Sequence, residues 1–416
     1  MLSSYTRLMR TAVFVAPYLM TATRRFVEAA ARLGNLRLGL VTAVPAEELP
    51  EELRHRLAAH YRIDDPLNPE RIAEAVVALR GTLGPVERLV GTLEELQVPL
   101  GQVRDALGIP GMSAAVAHNF RDKSRMKTVL REAGLPCAQH LLAADAEQAR
   151  RFGAEAGFPM VVKPPAGAGA RDTFRLESRE QMETWLRADP PRHDRPALLE
   201  EMVRGQEHSF DSVVIDGRMG WWSVSRYLPS PLEVMENGWI QWAVLLPREL
   251  DGFEDIRATA ERAIAALGLR TGLSHMEWFR TPSGGLAISE VGARPPGAQI
   301  TSLLSYAHDT DVYSMWAQVA IFDGFDPPAR RYAVGAAYLR GQGRGRVRAL
   351  HGLDRLQREV GDLVVEARLP EPGAAPSPSY EGDGYIIVRH PETAVVTDAL
   401  QRIVSVARVE LAGDPA

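Results

Sequence analysis

The chain is poor in lysine and cysteine: of its 48 basic residues only three are lysine, and Cys137 is its one cysteine. A single thiol excludes an intrachain disulfide framework. No stretch concentrates positive charge, and the net charge is −5. The basic excess of a phosphate-tracking surface is therefore missing, and no nucleic-acid partner is expected. Long apolar runs are missing too, since none approaches the length that spans a bilayer. The short apolar stretch Thr11–Pro17 runs into a charged helical pattern. It reads as a strand and not as the apolar part of a secretory leader. A soluble cytoplasmic protein without a membrane partner is the expectation. At 416 residues, 45% of them hydrophobic, the chain exceeds what one core accommodates, which predicts two to four domains.

The three lysines are Lys123, Lys127 and Lys163, all within one short part of the chain. An arginine bias of this kind commonly reflects genome base composition, and three leftover lysines at random sites would be the plain explanation. Their clustering suggests a site that needs a compact point charge where a planar guanidinium would not fit.

Strand and helix patterns alternate through the first hundred residues: strand Thr11–Pro17, helix Ala22–Leu33, strand Leu38–Val41, helix Pro69–Leu79, strand near Glu87–Val90. That alternation predicts a parallel sheet covered on both faces. A helix is predicted from His118 to Gly134, capped by Asn119 or Asp122. Further on, the pattern predicts strands at Phe158–Lys163, Thr173–Leu176, Ala197–Val203 and Glu207–Ile215. Ser274–Arg280 and Gly285–Val291 form a hairpin around Pro-Ser-Gly-Gly. We expect an α/β N-terminal domain at 1–112, a linking helix at 113–134 and a lid at 135–200. A core at 201–325 and a C-terminal lobe at 326–416 complete the chain. No internal repeat occurs.

Four motifs carry chemistry. First, Lys163 ends an apolar strand and opens a loop of small residues containing Gly167 and Gly169, followed by Arg171. Small residues let backbone N–H groups approach an anion, although an ordinary surface loop reads the same way. The loop is neither a P-loop nor a dinucleotide fingerprint. Second, Glu277 and Glu290 sit on the two strands of the hairpin, where their carboxylates can converge on one face. A divalent ion relieves their repulsion; two solvated strand glutamates are the alternative. Third, Arg294, in Arg-Pro-Pro-Gly297, follows Glu290 by four residues, in reach of a transferring phosphoryl group or an oxyanion. Fourth, Leu198–Val203 with Glu207 just beyond suits an adenine edge read by strand backbone and a ribose held by a carboxylate. An edge strand with solvated glutamates is equally common.

In order and spacing, these motifs resemble the ATP-grasp superfamily over roughly residues 10–325. The series runs Asp122-Lys123, Gly-Leu-Pro at 134–136, Gly157-Phe-Pro-Met-Val-Val-Lys163, Glu200–Val203 with Glu207, His275-Met-Glu277, then Glu290 and Arg294. The resemblance implies an α/β ATP-grasp fold: a Rossmann-like N-terminal domain, a mobile lid, a central core and a mixed C-terminal lobe. It implies ATP with Mg²⁺ (or Mn²⁺) as cofactors. Lys123 and Lys163 would contact the phosphates and the adenine side, and Glu200 the adenine amino group. Backbone of Glu201 and Val203 would bind the adenine edge, and Glu207 the ribose. Glu277 and Glu290 would be metal ligands, and Gly167–Arg171 the loop closing over the γ-phosphate. Lys127 has no family role and is expected on a helix surface. The family's asparagine two residues after the second metal glutamate is replaced by Gly292, so water or a bidentate Glu290 would fill its place.

The run Glu290–Gly297 and His275 resemble the branch of L-amino-acid ligases and dipeptide synthetases. This implies an ADP-forming ligase that activates a carboxylate as an acyl phosphate and joins it to an amine, with Lys163 and Arg294 catalytic. Small-molecule acid and amine partners and a homodimer are expected. The tryptophan-rich stretch 221–242 is expected either to line the substrate pocket, with Arg226, Glu233, Glu236, Trp239 and Gly297 as contacts, or to pack the core. His275 reads as a satisfied strand histidine in preference to a catalytic base. The alternatives are formyl- or carboxy-phosphate chemistry, and a non-catalytic nucleotide-binding protein.

Overall fold

The computed structural model describes residues 9–167, 172–237 and 240–412. At its N-terminal end, strands β1 (Arg10–Val15), β2 (Leu36–Thr42), β3 (Ala59–Arg62) and β4 (Arg88–Val90) form a parallel sheet in the order β3-β2-β1-β4. β1 is buried from Thr11 to Val15, as expected of a strand covered on both faces. The helix Pro69–Leu83 starts at Asn68, whose side chain accepts from the N–H groups of Glu70 and Arg71.

The helix expected from 118 to 134 is two helices, Ala114–Arg121 and Lys123–Glu132. Asp122 separates them: it leaves helical geometry and its carboxylate accepts from the N–H groups of Ser124 and Arg125 at 2.9 and 3.0 Å. Lys123 thereby becomes the first residue of a new helix, with Lys127 one turn later on the same buried face.

A second sheet holds β5 (His140–Ala143), β6 (Met160–Lys163), β7 (Phe174–Leu176) and β8 (Ala197–Glu201), in the order β5-β8-β6-β7. The largest sheet is built from β9 (Gln206–Ile215), β10 (Arg218–Leu228), β11 (Trp242–Leu246), β12 (Gly272–Arg280), β13 (Leu286–Gly292) and β14 (Ala333–Leu339). A three-stranded sheet of β15 (Gly341–Gln342), β16 (Arg346–His351) and β19 (Arg408–Ala412) lies beside it, while β17 (Val364–Arg368) and β18 (Gly384–His390) return to the large sheet. Its eight strands run β13-β12-β9-β10-β11-β14-β18-β17.

Strand alternation assigns the two faces of this sheet. On β12, Met276 and Trp278 enter one core with Phe210 and the helix Glu254–Leu267. His275 and Glu277 point to the other face, as do Ser209 and Asp211 of β9. Among the described residues no helix is long and apolar enough to cross a membrane.

Candidate active site

A cavity of about 500 Å³ opens where the second sheet, the large sheet and the helix Lys123–Glu132 meet. It is lined by Lys123, Lys127 and Lys163, by Glu207, Glu277 and Glu290, and by Arg294.

The hairpin places Glu277 and Glu290 directly opposite each other in the β12–β13 register, which brings the two carboxylates within reach of one ion. Lys123 Nζ donates to Glu290 at 2.7 Å and to the carbonyl of Gly167 at 3.0 Å. Burial works against the charge on Glu290, but Lys123 and Lys163 outweigh it and hold the carboxyl below its usual range. Glu207 behaves oppositely: burial and then repulsion from Glu277 push its pKa well above the ordinary value. This crowding of negative charge is the feature a bound cation would relieve, so the residues present fit a divalent ion. Among the described residues no cluster of three or more His, Cys, Asp or Glu has metal-holding geometry. Glu277 and Glu290 could hold such an ion only together with ligands from outside the chain.

Glu200 is buried between two ammonium groups, Lys163 at 2.9 Å and Lys127 at 3.4 Å. Its side chain holds both lysines while lining the cavity. Burial opposes the Glu200 charge, yet the two lysines keep its pKa lowered. Lys127 is a correction to the sequence reading. It is fully buried, donating to the carbonyl of Ser289 at 3.1 Å, because the break at Asp122 turns this helix face inward. Burial depresses the Lys127 pKa despite Glu200, whereas that of Lys163 is raised. The difference follows from geometry: Lys163 is closer to Glu200 and also feels Glu290.

Glu201 hydrogen-bonds to the 139 backbone through both its N–H and its carboxylate. Val203 lies just past β8, and Gly205 ends the turn into β9, with Glu207 beneath it; all line the cavity. Gly167, Glu233, His275 and Gly297 line it too. His275 Nδ1 is 2.7 Å from Asp211, and its Nε2 is 3.8 Å from Glu277. Burial opposes its protonation, but Asp211 overcomes this and raises the pKa to about 9. The imidazole is thus a partnered strand histidine, as read from the sequence. Gly169, Arg171 and Trp239 lie outside the described residues.

Two expected substrate contacts are elsewhere. Arg226 is exposed on the opposite face of β10, with its guanidinium 5.9 Å from the Phe253 ring centroid. Its neighbour Tyr227 faces the cavity instead, since adjacent strand residues point to opposite sides. Glu236 is held by Arg175 of β7 at 2.7 Å, an ion pair joining the second sheet to the helix Pro231–Glu236. The tryptophans follow the core alternative: Trp221 is buried against His308, Trp222 stacks on Phe210, and Trp242 stacks on Tyr338. Tyr227, Phe279 and Tyr380 supply the aromatic lining. The period-two series Trp221, Ser223, Ser225, Tyr227 carried a strand signal that the tryptophans obscured. Tyr380 and Glu94 come from distant segments and had no local signal.

Residues 128–304, somewhat under half of the chain, match the family model of the ATP-grasp domain. An L-arginine-specific L-amino acid ligase of Bacillus subtilis is 24% identical over 270 residues. That alignment covers 64% of this chain and 65% of the relative, just under two thirds of its length. A D-alanine–D-alanine ligase of Desulforudis audaxviator is 32% identical over 135 residues, 32% of this chain and 41% of that protein. Among solved structures, an L-amino acid ligase from Bacillus licheniformis superposes with a TM-score of 0.76 at 18% identity, covering 98% of this chain and 100% of that one. An N5-carboxyaminoimidazole ribonucleotide synthetase from Thermotoga maritima gives 0.70 at 16%, covering 97% and 100%. Identities this low establish the fold and not the activity.

Proposed function

We propose that the protein is an ATP-dependent carboxylate–amine ligase, forming an amide or peptide bond through an acyl phosphate and releasing ADP and phosphate. Its acid substrate is an amino acid or another small carboxylic acid. One observation carries the reading: a single cavity gathers all three lysines of the chain, a directly opposed carboxylate pair and a half-buried arginine. That set matches a nucleotide triphosphate at one end and a reacting carboxylate at the other. The likeness to amino-acid ligases in sequence and fold supports it.

In this mechanism Lys123 and Lys163 bind the phosphates, and the segment Glu201–Glu207 seats the nucleoside. Glu277 and Glu290 would hold Mg²⁺, which supplies charge neutralisation at the transferring phosphoryl group. The substrate carboxylate attacks the γ-phosphate, breaking its bond to ADP. The amine then attacks the acyl carbon, and Arg294 stabilises the tetrahedral oxyanion before phosphate leaves. Positioning carries most of the rate, because little covalent work falls to the protein. On binding ATP, Lys123 exchanges Glu290 for phosphate, freeing that carboxylate for the metal.

The test is phosphate release screened over amino acids and small carboxylates, singly and in pairs, with ATP and Mg²⁺. Release that requires both an acid and an amine supports the proposal. Release with formate or bicarbonate alone, or none with any pair, overturns it.

A further inference from the structure

We propose that Glu94 is a positioning residue for Arg294, and that their ion pair occupies the volume into which an asparagine at position 292 would project. The proposal rests on the ligase reading for its kinetic consequence, though not for its geometry.

Glu94 belongs to the loop that leaves the N-terminal parallel sheet. It begins the short turn Glu94–Leu96 that follows β4, at the carboxyl edge of that sheet. The turn is held from within: the buried Gln97 donates through its side-chain amide to the carbonyls of Leu93 and Gly91, at 2.9 and 3.3 Å. From this anchored loop the Glu94 carboxylate enters the cavity and accepts from Arg294 Nε. Arg294 Nη1 donates to the carbonyl of Pro295 at 2.8 Å. With two of its nitrogens engaged, the guanidinium plane is set.

The pair answers an electrostatic problem. Arg294 is largely withdrawn from solvent, its side chain 21% exposed, which works against its charge, and Glu94 is its nearest counterion. Glu290 also attracts the same guanidinium. Without Glu94, Arg294 would be drawn toward Glu290, blocking a proposed metal ligand and moving the guanidinium away from the reacting carbonyl. A fixed counterion on the opposite side prevents that collapse.

Gly292 lies beside the pair. A Cβ at this position would sit 3.7 Å from Glu94 Oε2, from Arg294 Cγ and from the carbonyl of His275. The Cβ alone would fit at contact distance. On the proposal, the amide group of an asparagine, reaching beyond this contact, competes with the carboxylate and the guanidinium for the same space. A residue from the loop after β4 thus completes a site formed mainly by the central sheets.

The experiment is a mutant cycle on an active acid–amine pair, using Glu94→Gln, Glu94→Ala, Gly292→Asn and the double variant Glu94→Ala/Gly292→Asn. The readouts are kcat, KM for ATP and the melting temperature. Glu94→Ala should lower kcat by about 10²-fold, the scale of a misplaced catalytic group, with KM for ATP within about twofold. Gly292→Asn should do the same, and the double variant should be no worse than the poorer single one. The nearly isosteric Glu94→Gln keeps the test valid if Glu94→Ala misfolds. Retention of kcat, parallel loss of ATP affinity and stability, or multiplicative effects in the double variant would each overturn the proposal. A crystal structure of Gly292→Asn supplies a readout independent of turnover: Glu94 and Arg294 should be separated, and an intact pair overturns the idea. An inactive wild type with all substrates would defeat the ligase reading, and the crystal structure would still decide the pair.

Discussion

Replacing Lys127 by methionine tests whether the buried lysine cluster is a structural unit. In the wild type Lys127 Nζ lies 3.4 Å from Glu200 and donates to the Ser289 carbonyl at 3.1 Å. At an effective dielectric of about 20 the gross attraction is roughly 5 kcal/mol, much of it offset by desolvating the ammonium. Breaking a buried pair outright costs about 3–5 kcal/mol. Here Glu200 keeps Lys163 at 2.9 Å, so about half of that cost applies. The unpaired Ser289 carbonyl adds about 1 kcal/mol. Lys127→Met should therefore destabilise the protein by about 3 kcal/mol, against less than about 0.5 kcal/mol for an exposed lysine. Glu200→Gln leaves two buried ammonium groups without their carboxylate and should cost more, about 5 kcal/mol. Urea denaturation, with hydrogen exchange to localise the loss to helix 123–132 and β8, measures both. A change below 0.5 kcal/mol for Lys127→Met, or a larger loss for it than for Glu200→Gln, would refute the reasoning.

Further outcomes follow from the same geometry. Glu290→Gln should reduce turnover by at least about 10²-fold with an unchanged circular-dichroism spectrum. Arg226→Ala, on the face away from the cavity, should leave kcat and KM within about twofold in steady-state assays. Gly205→Ala would place a Cβ 2.2 Å from the carbonyl of Arg280, so it should destabilise the β8–β9 turn by more than about 2 kcal/mol and raise KM for ATP. His208 and His308 are each depressed to about 4, chiefly by burial. The unfolded chain therefore binds protons that the native state refuses as pH falls below about 6.5. Their stabilisation is full above that pH and is lost as pH falls toward about 4, up to about 3 kcal/mol for each. Urea midpoints measured from pH 7 to 4.5 should fall, and His308→Phe should flatten the slope.

The parts of this molecule written in the sequence are those set by local spacing. The Pro-Ser-Gly-Gly hairpin that brings the two glutamate strands together could be read directly, but the register of its turn alone would oppose Glu277 to Ser289, and a bulge at Ser289 shifts the pairing so that Glu277 faces Glu290. The alternation of strands and helices before residue 112 likewise implied the parallel sheet that is present. What could not be read depends on which side of an element faces inward. Lys127 looks like a surface lysine until Asp122 is seen to break the helix and reset its face. Arg226 and Tyr227 are adjacent, and only the pairing of β10 with β9 and β11 decides which enters the cavity. Glu94 meets Arg294 across 200 residues, a distance at which no periodicity carries information.

The central claim is activation of a carboxylate by phosphoryl transfer. With an ¹⁸O-labelled acid, its amine partner and ATP, the account predicts ADP and inorganic phosphate carrying one ¹⁸O atom from the acid, read by ³¹P NMR. Unlabelled phosphate, or AMP with pyrophosphate, would contradict it.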